Sequence, residues 1–397
     1  MNSQSKTKTL SPSLIFLLAI AIGITVANLY YAQPLIAQIS AAIGLSKSAA
    51  GLVVTLTQAG YGLGVLLLVP LADIIESRGL ILAMIGLTIF GLLGLSFSTS
   101  MRPYFAAAFA TGLGASSVQV MVPYASHFVP DETRGRVVGR LMSGLMLGIM
   151  LSRPIASLMT QAFSWHAVFV LSAVLMLLLA IILAWKLPRR HPHNPGLVYT
   201  QLLGSMGRLF FEYEILRRRA IYQACLFGSF CLFWSASPLL LSGPEFHFSQ
   251  SGIALFALVG VSGAISAPLA GLAADRGWTR AATALAMLLS AATFLISRIF
   301  LPGSTAALAA LVIAAILLDA GITANLVLGQ REIFALSAEL RARLNGLYIA
   351  TIFVGGAVGS ALGAWSFEHG GWSLTSWTGF LMPMSAFAYF LTEKRKA

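Results

Sequence analysis

The stretch 268–276 reads PLAGLAADR, and a shorter form of it, PLAD, occupies residues 70–73. Asp275 follows Asp73 by 202 residues, and an arginine, Arg280 or Arg78, comes five residues after each aspartate. Both stretches end a long apolar run. A motif repeated at such a distance in a hydrophobic chain indicates that one helical membrane unit has been doubled.

Further landmarks repeat in the same order. Residues 134–139 (RGRVVG) match residues 341–346 (RARLNG), and Trp165 matches Trp372 at the same offset of 207 residues. Pro34 closes the first apolar run, and Pro238 closes the seventh. The sequence therefore predicts two similar helical bundles joined end to end.

Composition indicates a chain that lies in a lipid bilayer. Hydrophobic residues make up 58% of it and charged residues only 10%, whereas soluble domains carry about a quarter of charged residues. The net charge of +12 could suggest a nucleic-acid partner. The basic residues lie in short loops between apolar runs, however, so they indicate membrane orientation, and we expect no nucleic acid to bind.

The 397 residues are long enough for about a dozen spans of roughly 20 residues each. The predicted spans are 14–38, 49–71, 80–99, 104–128, 137–161, 167–187, 220–241, 252–273, 281–300, 306–330, 344–367 and 374–392. We therefore expect an all-α membrane protein with twelve transmembrane helices. They would form two pseudo-symmetric six-helix halves, residues 1–187 and 220–397.

The stretch 188–219 separates the two halves. It opens with PRRHPHNPG at 188–196, which cannot lie inside a helix. Apolar residues then follow at helical spacing, which predicts a cytoplasmic linker with a helix on the membrane surface. These residues are Leu202, Leu203, Met206, Leu209, Phe210 and Tyr213.

The positions of lysine and arginine predict the orientation. With both termini inside, 21 of the 25 basic residues lie in the inner segments and only Lys47, Arg102 and Arg298 lie outside. This asymmetry predicts a multi-pass membrane protein with both termini in the cytoplasm.

Signals for other chemistry are missing from the sequence. It has no phosphate-binding loop, no metal-ligand spacing and no nucleophile elbow. We expect no cofactor and no enzymatic activity. A membrane sensor would usually carry a soluble output domain, and the sequence has no stretch long enough for one.

Two charged residues lie near the middle of predicted spans. Asp319 is in the tenth span and Arg153 in the fifth. Ionisable groups at this depth are costly and usually functional. An apolar environment favours the protonated carboxyl group, so Asp319 is a candidate proton carrier. Arg153 is a candidate counter-ion or anion anchor. The alternative is a purely structural role, with Asp319 permanently paired or bonded to a neighbouring helix.

The six-plus-six plan and the loop motif together resemble the major facilitator superfamily. Its loop signature runs Gly, three residues, Asp, Arg, then Gly and basic residues, and residues 271–276 fit its first part. The copy at 69–78 departs at Val69, Ile74 and Glu76. The resemblance implies a secondary active transporter that works by alternating access and takes a small-molecule substrate. We expect a monomer.

The resemblance also indicates which spans line the substrate path, namely the first, fourth, seventh and tenth. Polar and aromatic residues of apolar spans are the candidates, and the alternative for each is a hydrogen bond between helices. The candidates are Asn28, Tyr31, Gln58, Gln119, Gln223, Trp234 and Asn325, of which Gln58 lies in the second span, outside these four.

Motifs at 28–34 (NLYYAQP), 57–64 (TQAGYGLG) and 142–153 are similar to a bacterial exporter-like group of the superfamily. Drug–proton antiporters of the superfamily often carry an arginine four residues before a glycine in the fourth span, where this chain has Ala108 before Gly112. We expect a proton-coupled exporter of small organic, amphipathic compounds. Uptake by proton symport or facilitated diffusion is the alternative.

The paired Asp loops predict a cytoplasmic gate. The resemblance to the superfamily implies that Asp73 meets the start of the eleventh span near Arg343, and Asp275 the start of the fifth span near Arg136. These contacts would close the inner mouth when the cavity faces outward. The predicted gate residues are Asp73, Arg78, Arg134, Arg136, Asp275, Arg276, Arg341 and Arg343.

Overall fold

A computed structural model describes residues 10–190, 198–337 and 340–393 of the chain. Within these residues, all regular structure is α-helix or 3-10 helix. The ends of the predicted halves, residues 1–9 and 394–397, and part of the predicted linker, residues 191–197, lie outside the described residues. The all-α prediction is confirmed.

The first half contains six spans, three of which are interrupted or extended by short helices. The first span comprises Pro12–Ala27, Gln33–Leu35 and Ile36–Ala42, and the second comprises Lys47–Ala49, Leu52–Leu67 and Val69–Asp73. The third span is Ser77–Phe97, and the fourth comprises Met101–Ala115 and Val118–His127. The fifth span is Asp131–Ala162, and the sixth is Trp165–Lys186.

The second half follows the same plan. The seventh span is Glu214–Ser242, and the eighth comprises Gln250–Ala257, the 3-10 segment Leu258–Ser262 and Gly263–Asp275. The ninth span is Thr279–Ile296, and the tenth is Thr305–Phe334. Arg341–Leu391 contains the eleventh and twelfth spans.

The last continuous helix contains two spans. Arg341–Leu391 has non-helical backbone at Gly370 and Gly371, and Gly371 has a φ of +58°, which favours glycine. Ten helical stretches of the described residues are long and apolar enough to cross a membrane, and this one counts twice. With the shorter apolar helix Pro12–Ala27 and its continuation, the described chain makes the twelve expected crossings.

Close helix packing within each half depends on glycine. Gly23 of the first span faces the backbone of Gly148 in the fifth, and Gly228 of the seventh faces Gly355 and Gly359 in the eleventh. A Cβ atom at these positions would run into the partner backbone. Gly148 and Gly355 are 207 residues apart, so the same seam occurs in both halves. Small residues at membrane helix interfaces allow this approach.

The two halves contact each other chiefly through two pairs of spans. In the first pair, Thr55 Oγ1 of the second span lies 2.9 Å from Ser360 Oγ of the eleventh, and the rings of Tyr61 and Phe353 are 4.2 Å apart. In the second pair, the fifth span packs on Gln250–Ala257 of the eighth.

We call the end of the bundle that carries Arg78, Arg134, Arg276 and Arg341 the basic end. Gly263–Asp275, the part of the eighth span nearer that end, packs chiefly on the tenth and ninth spans of its own half. The fifth and eighth spans therefore diverge toward the basic end.

A separate helix, Tyr199–Glu212, lies at the basic end within the predicted linker. Its buried residues are Leu202, Met206 and Leu209, which share one face. Tyr199 donates a hydrogen bond from Oη to the carbonyl of Leu67 at 2.6 Å, and the helix also contacts the second half. It therefore touches both bundles.

Candidate functional site

Arg153 lies buried in the fifth span among side chains of both halves. Its guanidinium carbon is 4.4 Å from the ring centre of Trp234, 5.0 Å from that of Phe230 and 5.2 Å from that of Tyr30. Its Nε donates to Gln33 Oε1 at 2.7 Å. The aromatic faces attract the cation and replace part of its lost hydration.

Asp319 lies buried in the tenth span, and its Oδ1 accepts a hydrogen bond from Trp234 Nε1 at 3.2 Å. A Cβ atom added to Gly260 would lie 2.9 Å from Asp319 Oδ2 and 3.5 Å from Arg153 Nη1. The carboxylate and the guanidinium therefore face each other across Gly260. Among the ion pairs of the described residues, none joins Arg153 to Asp319. The proposed counter-ions are neighbours without direct contact.

The local backbone explains how these groups meet. The first span loses regular α-helix after Ala27 and passes through the 3-10 turn Gln33–Leu35, which places Gln33 beside Arg153. The eighth span turns 3-10 over Leu258–Ser262, which holds Gly260 against Asp319. Irregular backbone at membrane depth is tolerated where it lines a protein-enclosed site.

The site therefore lies at the junction of the two halves. The first and fifth spans of the first half supply Gln33 and Arg153, and the seventh, eighth and tenth spans of the second half supply Trp234, Gly260 and Asp319. Any movement of one half against the other must change these contacts.

Two fully buried hydrogen-bond donors of the site have no partner among the described residues. They are Nη2 of Arg153 and Nε2 of Gln33, and both atoms are buried. The amide orientation of Gln33 follows from chemistry, since an arginine Nε can only donate and must face the amide oxygen. The two unpaired donors therefore belong to two side chains that are hydrogen-bonded to each other.

A second polar group lies closer to the basic end. Asn325 donates to Gln223 Oε1 at 2.7 Å, and Gln223 donates to the carbonyl of Ile322 at 3.2 Å. Asn325 follows Asp319 by six residues, or about 9 Å along the helix. The structure thus places two predicted path residues between the central charges and the basic end.

Other predicted path residues lie away from the central site. Asn28 accepts from Ser172 Oγ of the sixth span at 2.6 Å and donates to backbone carbonyls of its own helix. Gln119 donates to Tyr61 Oη at 3.0 Å within the first half. Gln58 is fully buried, and neither of its amide atoms has a partner among the described residues.

Tyr31 faces a different space from its neighbour Tyr30. It lines an apolar groove of about 540 Å³ between the first and fifth spans, together with Phe16, Leu147 and Leu151. These three side chains are exposed, and a membrane protein would present them to lipid. Tyr31 is therefore outside the group around Arg153.

The gate residues do not form the predicted contact between Asp275 and the fifth span in this conformation. Asp275 Oδ1 lies 2.6 Å from Arg331 Nη1 of the tenth span, in its own half. The predicted partner region near Arg136 is not involved because the fifth and eighth spans diverge here. Asp73, by contrast, lies within electrostatic range of Arg343 of the other half, as predicted, and of Arg190.

The remaining gate arginines contact their own half. Arg78 donates to the carbonyl of Ala184, and Arg134 Nε donates to that of Ser126 at 3.2 Å. Arg276 lies 5.7 Å from the ring centre of Trp278. Arg341 Nε donates to the carbonyl of Phe334 at 2.9 Å, and Arg136 is exposed.

The sequence analysis did not single out Gln33, Phe230 or Gly260. Gln33 stands just before Pro34, and a proline that interrupts an apolar span is a signal for irregular backbone and hence for a site. Gly260 resembles many other glycines of the chain. Only its position between two charged side chains distinguishes it.

The sequence pattern of the Major Facilitator Superfamily matches residues 15–330 of this chain. The chain belongs to this superfamily. The transporter YgaY of Escherichia coli O157:H7 is 38% identical over 364 residues, which cover 92% of this chain and 91% of that protein. A probable transporter of Streptomyces coelicolor, SCO4007, is 30% identical over 90% of this chain and 82% of its own length.

Solved structures confirm the superfamily fold. A mutant of the nucleoside transporter NupG superposes with a TM-score of 0.74 at 13% identity, covering 95% of this chain and 99% of the other. At this identity the likeness concerns the fold alone. Family and relatives together show a membrane transporter, and they leave its substrate open.

Proposed function

We propose that this membrane transporter is a proton-coupled secondary transporter of small organic compounds that works by alternating access. The observation that carries the proposal is that the buried side chains of Arg153 and Asp319 face each other across Gly260, where the two halves join. Charged groups at this depth are usually functional in transporters. Asp319 is the proposed proton carrier, and the positive charge of Arg153 interacts with the carboxylate when Asp319 is ionised.

The charge of this buried site depends on one proton. Arginine stays protonated in proteins, so the pair is neutral when Asp319 is ionised and carries a net positive charge when Asp319 is protonated. A buried net charge is costly, and the halves can relieve it by binding an ion or by opening the site to water. Protonation of Asp319 is thereby coupled to the movement of the halves.

The direction of transport has two candidates. The exporter-like motifs predict antiport, in which the proton and the substrate occupy the site alternately. The position of Arg153 favours the second candidate, symport for uptake. A cation competing for Asp319 would have to lie beside Arg153, whereas an anion would be attracted to Arg153 once Asp319 is protonated.

We further propose that the basic end faces the cytoplasm of a bacterial inner membrane and that both termini lie on that side. The arginines at that end, including the exposed Arg136, support this orientation. Single cysteines in the loops, labelled with an impermeant maleimide in intact cells, test it. The only native thiols to remove are Cys225 and Cys231.

Purified protein in proteoliposomes tests the coupling. A panel of small organic compounds is added under an imposed pH gradient, and a trapped dye reports internal pH. We expect proton movement only with a transported compound and none in Asp319→Asn. Glu368→Gln removes an exposed acid from another span and serves as the control. Substrate flux that ignores the pH gradient would refute the proton coupling.

A further inference from the structure

We infer that the transported substrate carries a carboxylate group and that Gln33 Nε2 and Arg153 Nη2 bind it. This inference rests on the proposed function and names its substrate class. It starts from the two buried donors that have no partner among the described residues. Because Arg153 Nε is bonded to Gln33 Oε1 at 2.7 Å, both donors belong to one connected pair of side chains.

The surroundings of Arg153 leave Nη2 for a ligand. Its Nε donates to Gln33 Oε1, and its Nη1 lies 3.5 Å from the position that a Cβ atom at Gly260 would occupy. The rings of Tyr30, Phe230 and Trp234 surround the guanidinium carbon at 4.4 to 5.2 Å. A ligand must therefore approach in the plane of the guanidinium, where its N–H groups point.

A carboxylate suits this pair of donors. It only accepts hydrogen bonds, and its two oxygens can each take one N–H group from adjacent donors. An ammonium group would present donors to donors. Asp319 does not fill the role, since it lies across Gly260 and accepts from Trp234. The neighbouring rings offer flat apolar surfaces for the rest of the molecule.

Charge balance in the site predicts that a proton accompanies the bound carboxylate. A bound carboxylate next to an ionised Asp319 would leave the buried site with a net negative charge. Protonation of Asp319 restores neutrality, so one proton should be taken up from solution for each carboxylate bound. The substrate anion and the proton would then cross together, as in symport.

Isosteric probes of different charge test the substrate class. Benzoate, benzamide and benzylamine are titrated against the full-length protein in lipid nanodiscs by calorimetry at pH 6. We expect benzoate to bind at least about tenfold more tightly than benzamide, the scale of one charge-assisted hydrogen bond. Benzylamine should not bind. Equal affinities, a preference for benzylamine, or no binding of benzoate would overturn the inference.

Two substitutions assign the binding to the donor pair. Gln33→Met should weaken benzoate binding about tenfold or more, whereas Gln119→Met, at a half-buried amide outside the site, should not. Gln33→Glu supplies an internal carboxylate beside Arg153, so it should abolish benzoate binding while raising the melting temperature. Tight benzoate binding by the correctly folded Gln33→Glu protein would place the anion elsewhere and overturn the inference.

Proton uptake on binding separates this inference from the proposed function. A pH-sensitive dye in weak buffer should report about one proton per benzoate in the wild type and none in Asp319→Asn. Carboxylate-selective binding without proton uptake would support the substrate class and contradict proton coupling. Proton-coupled transport of uncharged or cationic compounds alone would support the proposed function and overturn the inference.

Discussion

Gly260→Ala should inactivate the transporter through a single added methyl group. The new Cβ would lie 2.9 Å from Asp319 Oδ2, whereas ordinary contacts begin at about 3.4 Å, so the carboxylate must move by about 0.5 Å. The same methyl group would touch Trp234 Cζ2 at 3.4 Å and Arg153 Nη1 at 3.5 Å. The methyl group therefore cannot relieve the clash by shifting toward either of them.

The size of the effect follows from these contacts. Overpacking a tight site costs about 1–3 kcal/mol, which corresponds to about 5- to 150-fold in an equilibrium between two states. We expect the hydrogen bond from Trp234 to Asp319 to be lost first. Transport should fall by at least about tenfold, with the protein still folded, because the clash involves one side-chain atom, Asp319 Oδ2, and the next nearest atoms also belong to side chains.

Gly271→Ala is the matched control in the same span, since a Cβ there meets nothing within 4 Å. Proton-coupled flux in proteoliposomes and the melting temperature are measured for both variants. Tryptophan emission, compared with that of Trp234→Phe, reports the site without a substrate. If Gly260→Ala transports as well as Gly271→Ala, Gly260 does not hold the two charges in their working positions, and the reasoning fails.

The other predictions concern the charges and the helix seams. Asp319→Asn should abolish gradient-driven transport and spare substrate exchange, and Arg153→Ala should lose both activities. Full gradient-driven flux in either variant would show that the substituted residue has only a structural role. Asp275→Asn should change stability by no more than about 1 kcal/mol, because its ion pair with Arg331 is half exposed; a larger drop in melting temperature would contradict this. If Asp275 also closes the basic end, maleimide labelling there should become faster in Asp275→Asn. Gly148→Leu should prevent folding, as judged by size-exclusion chromatography, because its side chain would enter the first span.

The sequence predicted the fold because apolar runs and loop motifs are local signals. Each predicted span overlaps a helix of the structure, and the repeated Asp loops follow the second and eighth spans as expected. What the runs did not predict is the interruption of the spans. The break after Ala27 and the 3-10 segment Leu258–Ser262 fall inside apolar stretches. Hydropathy gives no information on backbone geometry within such a stretch.

The central charges were also predictable, because a charged residue in the middle of an apolar span stands out. Their surroundings were not. Gln33 meets Arg153 only through a turn of the first span, and Gly260 gains its importance from side chains that are distant in sequence. Whether Asn28 and Gln119 line a path or bond a neighbouring helix depends on which way each faces, and both bond within their own half.

The gate shows a different limit. A repeat in the sequence indicates equivalent loops, and it does not indicate which of two conformations a structure will show. Asp275 pairs with Arg331 while the fifth and eighth spans diverge. Its contact with the fifth span stays a prediction for the opposite conformation.

The glycine seam between the first and fifth spans turns these helices into a lever. Arg153 lies in Asp131–Ala162, 22 residues from the end of that helix at the basic end, which is about 33 Å. A rotation of about 15° about Arg153, the size of known rigid-body transitions, would carry that end about 9 Å. Because Gly148 lies backbone to backbone against Gly23, the first span must swing with it. The two helices would then move as one rigid arm, and a small rotation near Arg153 would become a displacement of several ångströms at the basic end.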